Sequence, residues 1–199
     1  MNTRVSELLA EIRRLEDQLE EAIRTHEQEF LYKVDGAKVR FEKAVKTAHK
    51  KLKTGILPWL GSSELRNVAS VPFVYAMSVP LAFLDLTVTI YQFVCFPLYR
   101  IEKVRRRDFI VIDRHKLSYL NGIEKMNCVY CGYTNGLIAF VREVIARTEQ
   151  YWCPIKHARK ILDPHRRYAR YAEFGEAEDY PKRLESMRDE LNERKDDQD

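Results

Sequence analysis

The sequence has few of the residues that build tight turns. Its 199 residues include only seven glycines and seven prolines, which is too few for a β-sandwich with a turn at each strand end. Hydrophobic residues make up 45% of the chain, a share that excludes wholesale disorder. The composition therefore predicts a mainly α-helical protein, built as one ordinary domain or one domain with extended appendages.

The common motifs of catalysis and secretion are also missing. The sequence contains no glycine-rich phosphate loop, no nucleophile elbow and no paired-carboxylate pattern. Its N-terminus lacks the apolar core of a signal peptide, so we expect its four cysteines to lie in a reducing compartment. A cysteine cluster there indicates metal binding or catalysis rather than disulfides. These absences favour a protein that is not an enzyme.

Charged residues are almost absent between positions 67 and 99. This stretch of 33 residues contains a single charge, Asp85, whereas about 20 apolar residues suffice for a helix to cross a bilayer. Basic residues flank the run on both sides, although a single span normally shows this excess on its cytoplasmic side only. The pattern predicts a membrane-associated helical hairpin bent near residues 78–80, with the bulk of the chain on the cytoplasmic face. A single transmembrane span and a buried hairpin in a soluble core are the alternatives.

Two basic segments supply these flanks. Residues 33–53 carry a net charge of +6 and residues 103–116 a net charge of +4. Such segments bind anionic lipid headgroups or nucleic-acid phosphates, and beside an apolar run they favour the lipid membrane as the partner. Because a charge in hydrocarbon is unfavourable, we expect Asp85 to cap a helix, to pair with a basic flank or to lie at the interface.

The N-terminal segment shows a helical stripe, in which apolar or small residues recur every three or four positions. Its first steps resemble a short coiled-coil seam, formed by Leu8, Ile12, Leu15 and Leu19. The alternative is a β-hairpin, because Asp35-Gly36 is a strong turn signal. Continuation of the stripe on both sides of Gly36 favours one long helix, with a surface for a second copy or a protein partner.

Three cysteines and one histidine fall within a single window of 30 residues. Cys128 and Cys131 are followed by a glycine, the Cys-x-x-Cys-Gly form of a zinc knuckle, in which a tight turn aims both sulfurs at one point. Cys153 and His157 lie four residues apart, one turn of a helix that we expect to begin at Pro154. The set predicts a structural Cys₃His zinc site.

One geometric objection applies to that site. An unbroken helix over residues 135–150 is about 24 Å long, so a site within one chain requires this helix to be shorter or bent. Alternatively, Cys128 and Cys131 use other ligands, such as His115 or His165, or ligands of a second subunit. A redox dithiol and four ordinary packed residues remain the other interpretations of the cysteine and histidine set.

Together these patterns predict four segments. They are a polar and basic helical arm (1–54), an apolar membrane-associated segment (55–101), a helical Cys/His domain (102–170) and an acidic, partly disordered tail (171–199). The favoured function is a membrane-associated, non-enzymatic scaffold or adaptor with a structural zinc ion. The alternatives are a thiol redox or zinc-dependent enzyme near the membrane and a nucleic-acid-binding zinc protein.

Overall fold

The protein is mainly helical, as its composition predicts. The computed structural model describes residues 11, 14–15, 17–19, 21–22, 25, 32–35, 38–41 and 43–193. Over these residues it has two short strands, β1 (Tyr32–Asp35) and β2 (Lys38–Phe41), and the helices α1 (Lys43–Lys51), α2 (Ile56–Gly61), α3 (Leu65–Ala76), α4 (Ser78–Leu98), α5 (Gly122–Trp152) and α6 (Tyr180–Glu193). The chain divides into two compact units, the first made of residues up to 62 with 113–127, the second of 63–112 with 128 onwards.

The first unit differs from the single long helix expected over residues 1–54. β1 and β2 pair antiparallel, with Asp35 opposite Lys38, so the described residues on either side of Gly36 are paired strands and not one continuous helix. The turn preference of Asp-Gly outweighs the apolar stripe because glycine weakens any helix that contains it. Described residues between positions 11 and 25 are helical. The coiled-coil seam lies partly outside the described residues and stays a prediction.

Helices α3 and α4 follow each other without a reversal of the chain. Met77, the residue between them, has right-handed helical dihedral angles, and Leu65–Leu98 forms one helical run of 34 residues. Pro80 interrupts the hydrogen bonding at this point because proline has no backbone N–H to donate. The predicted hairpin bent near residues 78–80 is therefore wrong, since the proline produces only a local break.

In the second unit, α4 and α5 run parallel. The Tyr133 hydroxyl reaches Asp85 and, further along both helices, the Tyr91 hydroxyl lies 2.9 Å from that of Thr148. The core of this unit comprises Val88, Phe96, Ile101, Val104, Leu137, Phe140, Val144 and Leu191. Parallel packing requires the chain to return to the start of α5 after α4 ends, and residues 101–110 begin this return alongside both helices.

The returning segment packs tightly on α5 at Gly136. A Cβ atom built on Gly136 would lie 2.7 Å from the Ile110 Cα and 2.7 Å from the Phe109 carbonyl oxygen. The ring of Phe109 also contacts the ring of Phe140 edge to face, with 6.4 Å between the ring centroids. Gly136 is therefore required because only a residue without a side chain lets the two backbones approach this closely.

We expect Gly136→Ala to destabilise the protein by about 1–3 kcal/mol, the usual effect of overpacking a filled site. The reason is that the new methyl group meets backbone atoms, which cannot move aside as a flexible side chain can. Gly61→Ala is the matched control, since nothing lies within 4 Å of a Cβ atom there. Thermal unfolding of both variants measures the effect, and equal melting temperatures would contradict the close approach.

Helix α5 has clear start and stop signals. The Asn121 side chain accepts a hydrogen bond from the Glu124 N–H, and the Glu124 carboxylate accepts one from the Asn121 N–H, which is a capping box. The helix then continues for 31 residues to Trp152, and Pro154 follows, where proline cannot extend it. The helix predicted over residues 135–150 is therefore the second half of a longer one that contains the first cysteine pair.

Within the predicted acidic tail, the described residues 171–193 contact the rest of the second unit. Tyr171 is buried and donates its hydroxyl hydrogen bond to the Ala146 carbonyl. On α6, the Met187 carbonyl accepts a hydrogen bond from Gln150, and Arg188 lies over the ring of Tyr151, 4.7 Å from its centroid. These contacts fix α6 against the end of α5.

Candidate membrane interface and the predicted metal ligands

Helix α4 carries an uncovered apolar surface on the side away from α5. Among the described residues, one helical run, Leu65–Leu98, is long and apolar enough to cross a membrane. On α4 the exposed positions follow each other in steps of four and three and form what we call the α4 face: Val79, Phe83, Leu86, Ile90 and Phe93. Both phenylalanines are 68% exposed. Soluble monomeric proteins rarely leave a contiguous apolar surface of this kind uncovered.

Away from the α4 face, the helix carries its one charged residue, Asp85. The Asp85 carboxylate pairs with the Arg106 guanidinium and accepts a hydrogen bond of 2.8 Å from the Tyr133 hydroxyl. The Asp85 side chain is only 13% exposed. Of the three sequence-based alternatives for Asp85, pairing with a basic flank is the one that the structure shows, and this charge does not reach the α4 face.

The basic residues after α4 lie beside the helix rather than beyond its end. Lys103 Nζ lies 4.4 Å from the ring centroid of Phe93, and the Val104 N–H donates a 2.7 Å hydrogen bond to Gln92. Arg106 pairs with Asp85, which lies seven residues before Gln92 in α4. Placing an arginine at the centre of a bilayer costs about 2.5–3.5 kcal/mol on insertion scales, so the position of this segment limits where α4 can lie.

Helix α5 adds a second exposed apolar stripe to the same unit. Ile138, Ile145 and Trp152 are each about half exposed, and their spacing of seven residues places them on one side of the helix. Trp152 also contacts Tyr99 edge to face at 5.5 Å between ring centroids. Tryptophan and tyrosine are enriched where membrane proteins meet the lipid headgroups.

Cys128 and Cys131 lie within α5, where a knuckle turn was predicted. Both thiols are free, Cys131 is exposed and Cys128 is partly buried. The glycine after them, Gly132, is buried together with Gly136. Two small residues four apart let another segment approach a helix closely, and this small-residue pair was the signal in the sequence for the contact at Gly136. The zinc-knuckle turn is therefore not formed at these residues.

Cys153 and His157 lie after the end of α5. The Cys153 N–H donates a hydrogen bond to the Glu149 carbonyl, and the ring of His157 stacks on Tyr168. Burial, followed by the nearby Glu149 carboxylate, raises the pKa of the Cys153 thiol above its ordinary value. A raised pKa leaves the thiol protonated at neutral pH, and the helix C-terminus adds negative potential, so Cys153 lacks the activation that a reactive cysteine needs.

The four predicted ligands do not fit one zinc site within a single chain. Cys131 lies 21 residues before Trp152, the last residue of α5 and the neighbour of Cys153, and this length of helix is about 32 Å, whereas zinc ligands lie about 2–2.3 Å from the metal. Among the residues that the structure describes, no group of three or more His, Cys, Asp or Glu side chains is arranged to hold a metal ion. His115 and His165, the alternative ligands, do not belong to such a group either.

A buried ion network, missed at the sequence level, lies between α5 and the chain after it. Glu143 accepts hydrogen bonds from Arg167 at 2.7 Å and from Arg147 at 2.9 Å, and Arg167 also donates to Gln150 at 2.8 Å. Burial alone would raise the pKa of Glu143, but the hydrogen bonds and charges of the two arginines outweigh it and hold this pKa below its ordinary value. Because Arg167 is only 8% exposed, the network is structural.

Contacts within the protein also involve most of the basic and aromatic residues near position 167. Arg170 pairs with Glu190, Tyr171 is buried, and Lys156 pairs with Glu173. A platform for single-stranded nucleic acid needs its aromatic faces and cations exposed to the bases and phosphates. Here Arg167 and Tyr171 lie in the protein interior, and Arg170 and Lys156 are held in ion pairs with carboxylates, which weakens the nucleic-acid alternative.

Comparison with known proteins gives no match. No protein-family model matches the sequence, and neither a curated protein nor a solved structure is significantly similar to it.

Proposed function

We propose that this protein is a membrane-associated, non-enzymatic scaffold or adaptor that attaches to lipid through the α4 face. One observation carries the proposal, namely the exposure of five large apolar side chains on a helix whose other side is packed against protein. Burying a side chain of this kind contributes about 1.5–3 kcal/mol, so lipid contact over the whole face supplies a strong driving force. The scaffold role rests on the sequence, with a helical stripe suited to a partner and no catalytic motif.

Charge supports lipid as the partner of this surface. Lys103 lies over Phe93 at the edge of the α4 face, and the side chains of Arg105 and Arg107 are 50% and 80% exposed. Each basic residue near an anionic leaflet contributes about 1 kcal/mol of attraction. Anionic lipids are concentrated in the cytoplasmic leaflet, which places the bulk of the chain on the cytoplasmic face in this proposal.

Flotation with liposomes tests the proposal. The purified full chain, incubated with vesicles of phosphatidylcholine and 30% phosphatidylserine, is expected to rise with the lipid in a density gradient. Binding is expected to weaken but persist in 1 M salt, because screening removes the headgroup attraction and leaves the apolar contact. Protein that stays in the bottom fraction with every vesicle composition would overturn the membrane assignment.

The basic edge of the face makes a separate prediction. We expect the double variant Arg105→Gln/Arg107→Gln to bind anionic vesicles about 30-fold more weakly, since two cations near the surface contribute about 2 kcal/mol together. Its matched control is Arg159→Gln/Lys160→Gln, which removes the same charge at two exposed positions of the same unit. A vesicle titration monitored by sedimentation measures both, and equal losses would show that only net charge matters.

Zinc remains a prediction for an arrangement shared between chains. The cysteine pair of α5 offers two thiols on one side of a helix, and a second copy could provide two more ligands. We expect zinc analysis of protein purified without chelator to give at most one ion per two chains, removed by Cys131→Ser. A content of one zinc per chain, with loss of the folded state when the zinc is removed, would contradict this arrangement. It would require a site within a single chain, although α5 separates the predicted ligands.

A further inference from the structure

We infer that the helical run Leu65–Leu98 lies along the membrane surface, submerged in one leaflet, and does not cross the bilayer. The inference rests on the proposed function and adds the orientation of the attachment. Its occupant is one leaflet of a bilayer that contains anionic lipid. Both ends of the helix then stay on the same side of the membrane.

Helix length is the first argument. At 34 residues the run is about 51 Å long, whereas the hydrocarbon core measures about 30 Å. Exposed apolar side chains occur along its whole length, from Leu65 and Phe73 on α3 to Phe83, Phe93 and Leu98 on α4. A spanning orientation would leave part of this length in water, whereas a helix in the surface plane keeps its whole length in contact with one leaflet.

The position of the basic segment is the second argument. Arg106 pairs with Asp85, which lies 13 residues before the end of α4 and therefore about 20 Å from that end. If α4 spanned the membrane, Arg106 and its exposed neighbours Arg105 and Arg107 would lie within the hydrocarbon, together with the charged Asp108. With α4 in the surface plane, the same residues lie beside the helix at headgroup level, where cations are favoured.

The third argument is the covering of α4 on its opposite side. Val88 and Phe96 pack on α5, and Gln92 exchanges hydrogen bonds with the backbone of Val104. A helix attached to a membrane from one face has lipid on one side and water or protein on the other. On α4 that second side is covered by α5 and by the residues after α4, as expected for attachment from one face.

Cysteine labelling in sealed membranes tests the orientation. Four variants carry single cysteines, at Arg66, Arg100, Arg107 or Ile90, in a chain whose native cysteines are replaced by serine. They are expressed in cells, and inside-out membrane vesicles, with the cytoplasmic side outward, are treated with a membrane-impermeant maleimide. We expect labelling at positions 66, 100 and 107 from the outside, and at position 90 only after detergent.

The outcomes separate the orientation from the attachment itself. Labelling of position 66 and protection of position 100, or the reverse, would overturn the inference while leaving the membrane association intact. Recovery of all four variants in the soluble fraction would overturn the proposed function. Labelling of position 90 without detergent, in protein that sediments with the membrane, would show attachment through another surface and would overturn both.

Discussion

Replacing Glu143 with alanine is expected to lower the free energy of unfolding by about 3–5 kcal/mol, the usual effect of removing one partner from a buried ion pair. The loss is large because Arg167 is almost fully buried and keeps its charge, so the variant leaves a buried cation without its carboxylate. Arg147 loses the same partner. For a chain of this size we expect a melting temperature lower by roughly 10 °C, measured by circular dichroism.

Glu190→Ala is the control for this variant. Its carboxylate also pairs with an arginine, Arg170, at 2.7 Å, but that pair lies at the surface and is expected to contribute at most about 1 kcal/mol. Equal effects of the two substitutions would contradict a structural role for the buried network.

The network also predicts how stability depends on pH. Because the folded-state pKa of Glu143 is lowered, its contribution is fully present above the unfolded-state pKa of about 4.3 and is lost as the pH falls through the folded value. Between pH 5 and pH 3 the parent chain is therefore expected to lose more stability than Glu143→Gln. Parallel curves for the two proteins would show that Glu143 does not titrate as the contacts require.

The double variant Phe83→Asp/Phe93→Asp is expected to bind lipid vesicles at least about 100-fold more weakly, because each phenylalanine contributes about 1.5–3 kcal/mol when buried. Two carboxylates on the same surface would also repel anionic headgroups. Since both side chains point away from the core, we expect the fold to be kept. Sedimentation with vesicles measures binding, and circular dichroism checks the fold.

A matched control separates the α4 face from exposed apolar residues in general. Leu162 and Phe174 are 92% and 67% exposed and lie outside α4, so Leu162→Asp/Phe174→Asp makes the same chemical change elsewhere in the second unit. We expect this control to bind vesicles nearly as well as the parent chain. If the control loses binding as strongly as the α4 variant, the α4 face is not the site of attachment.

Sequence patterns were sufficient to predict the mainly helical class and the long apolar helix in the charge-poor segment. For Asp85 they gave three alternatives, and the one that the structure shows is a basic partner from the flank, because a lone carboxylate in an apolar run needs a cation. Which side of α4 faces lipid could not be predicted, since apolar residues occur all round this helix. The packing of Val88 and Phe96 on α5 distinguishes its two sides.

The metal site shows where local patterns mislead. Cys-x-x-Cys-Gly predicts a tight turn, but the same residues also fit a helix, in which Gly132 and the glycine four positions later lie on one buried side. A strong capping box at Asn121 starts the helix before the first cysteine, and Pro154 stops it only after residue 152. Signals 7 residues before the first cysteine and 23 residues after the second therefore decide the conformation of the pair.

The most direct test of the account is the environment of residue 90 when the protein meets a membrane. A fluorophore sensitive to polarity is attached to Ile90→Cys in the chain without other cysteines, and Leu162→Cys serves as the reference. On addition of phosphatidylserine-containing vesicles, we expect the label at position 90 to shift to shorter wavelength and to be quenched by acyl-chain quenchers, with no change at position 162. An unchanged, water-exposed label at position 90 would contradict the claim that the α4 face binds lipid.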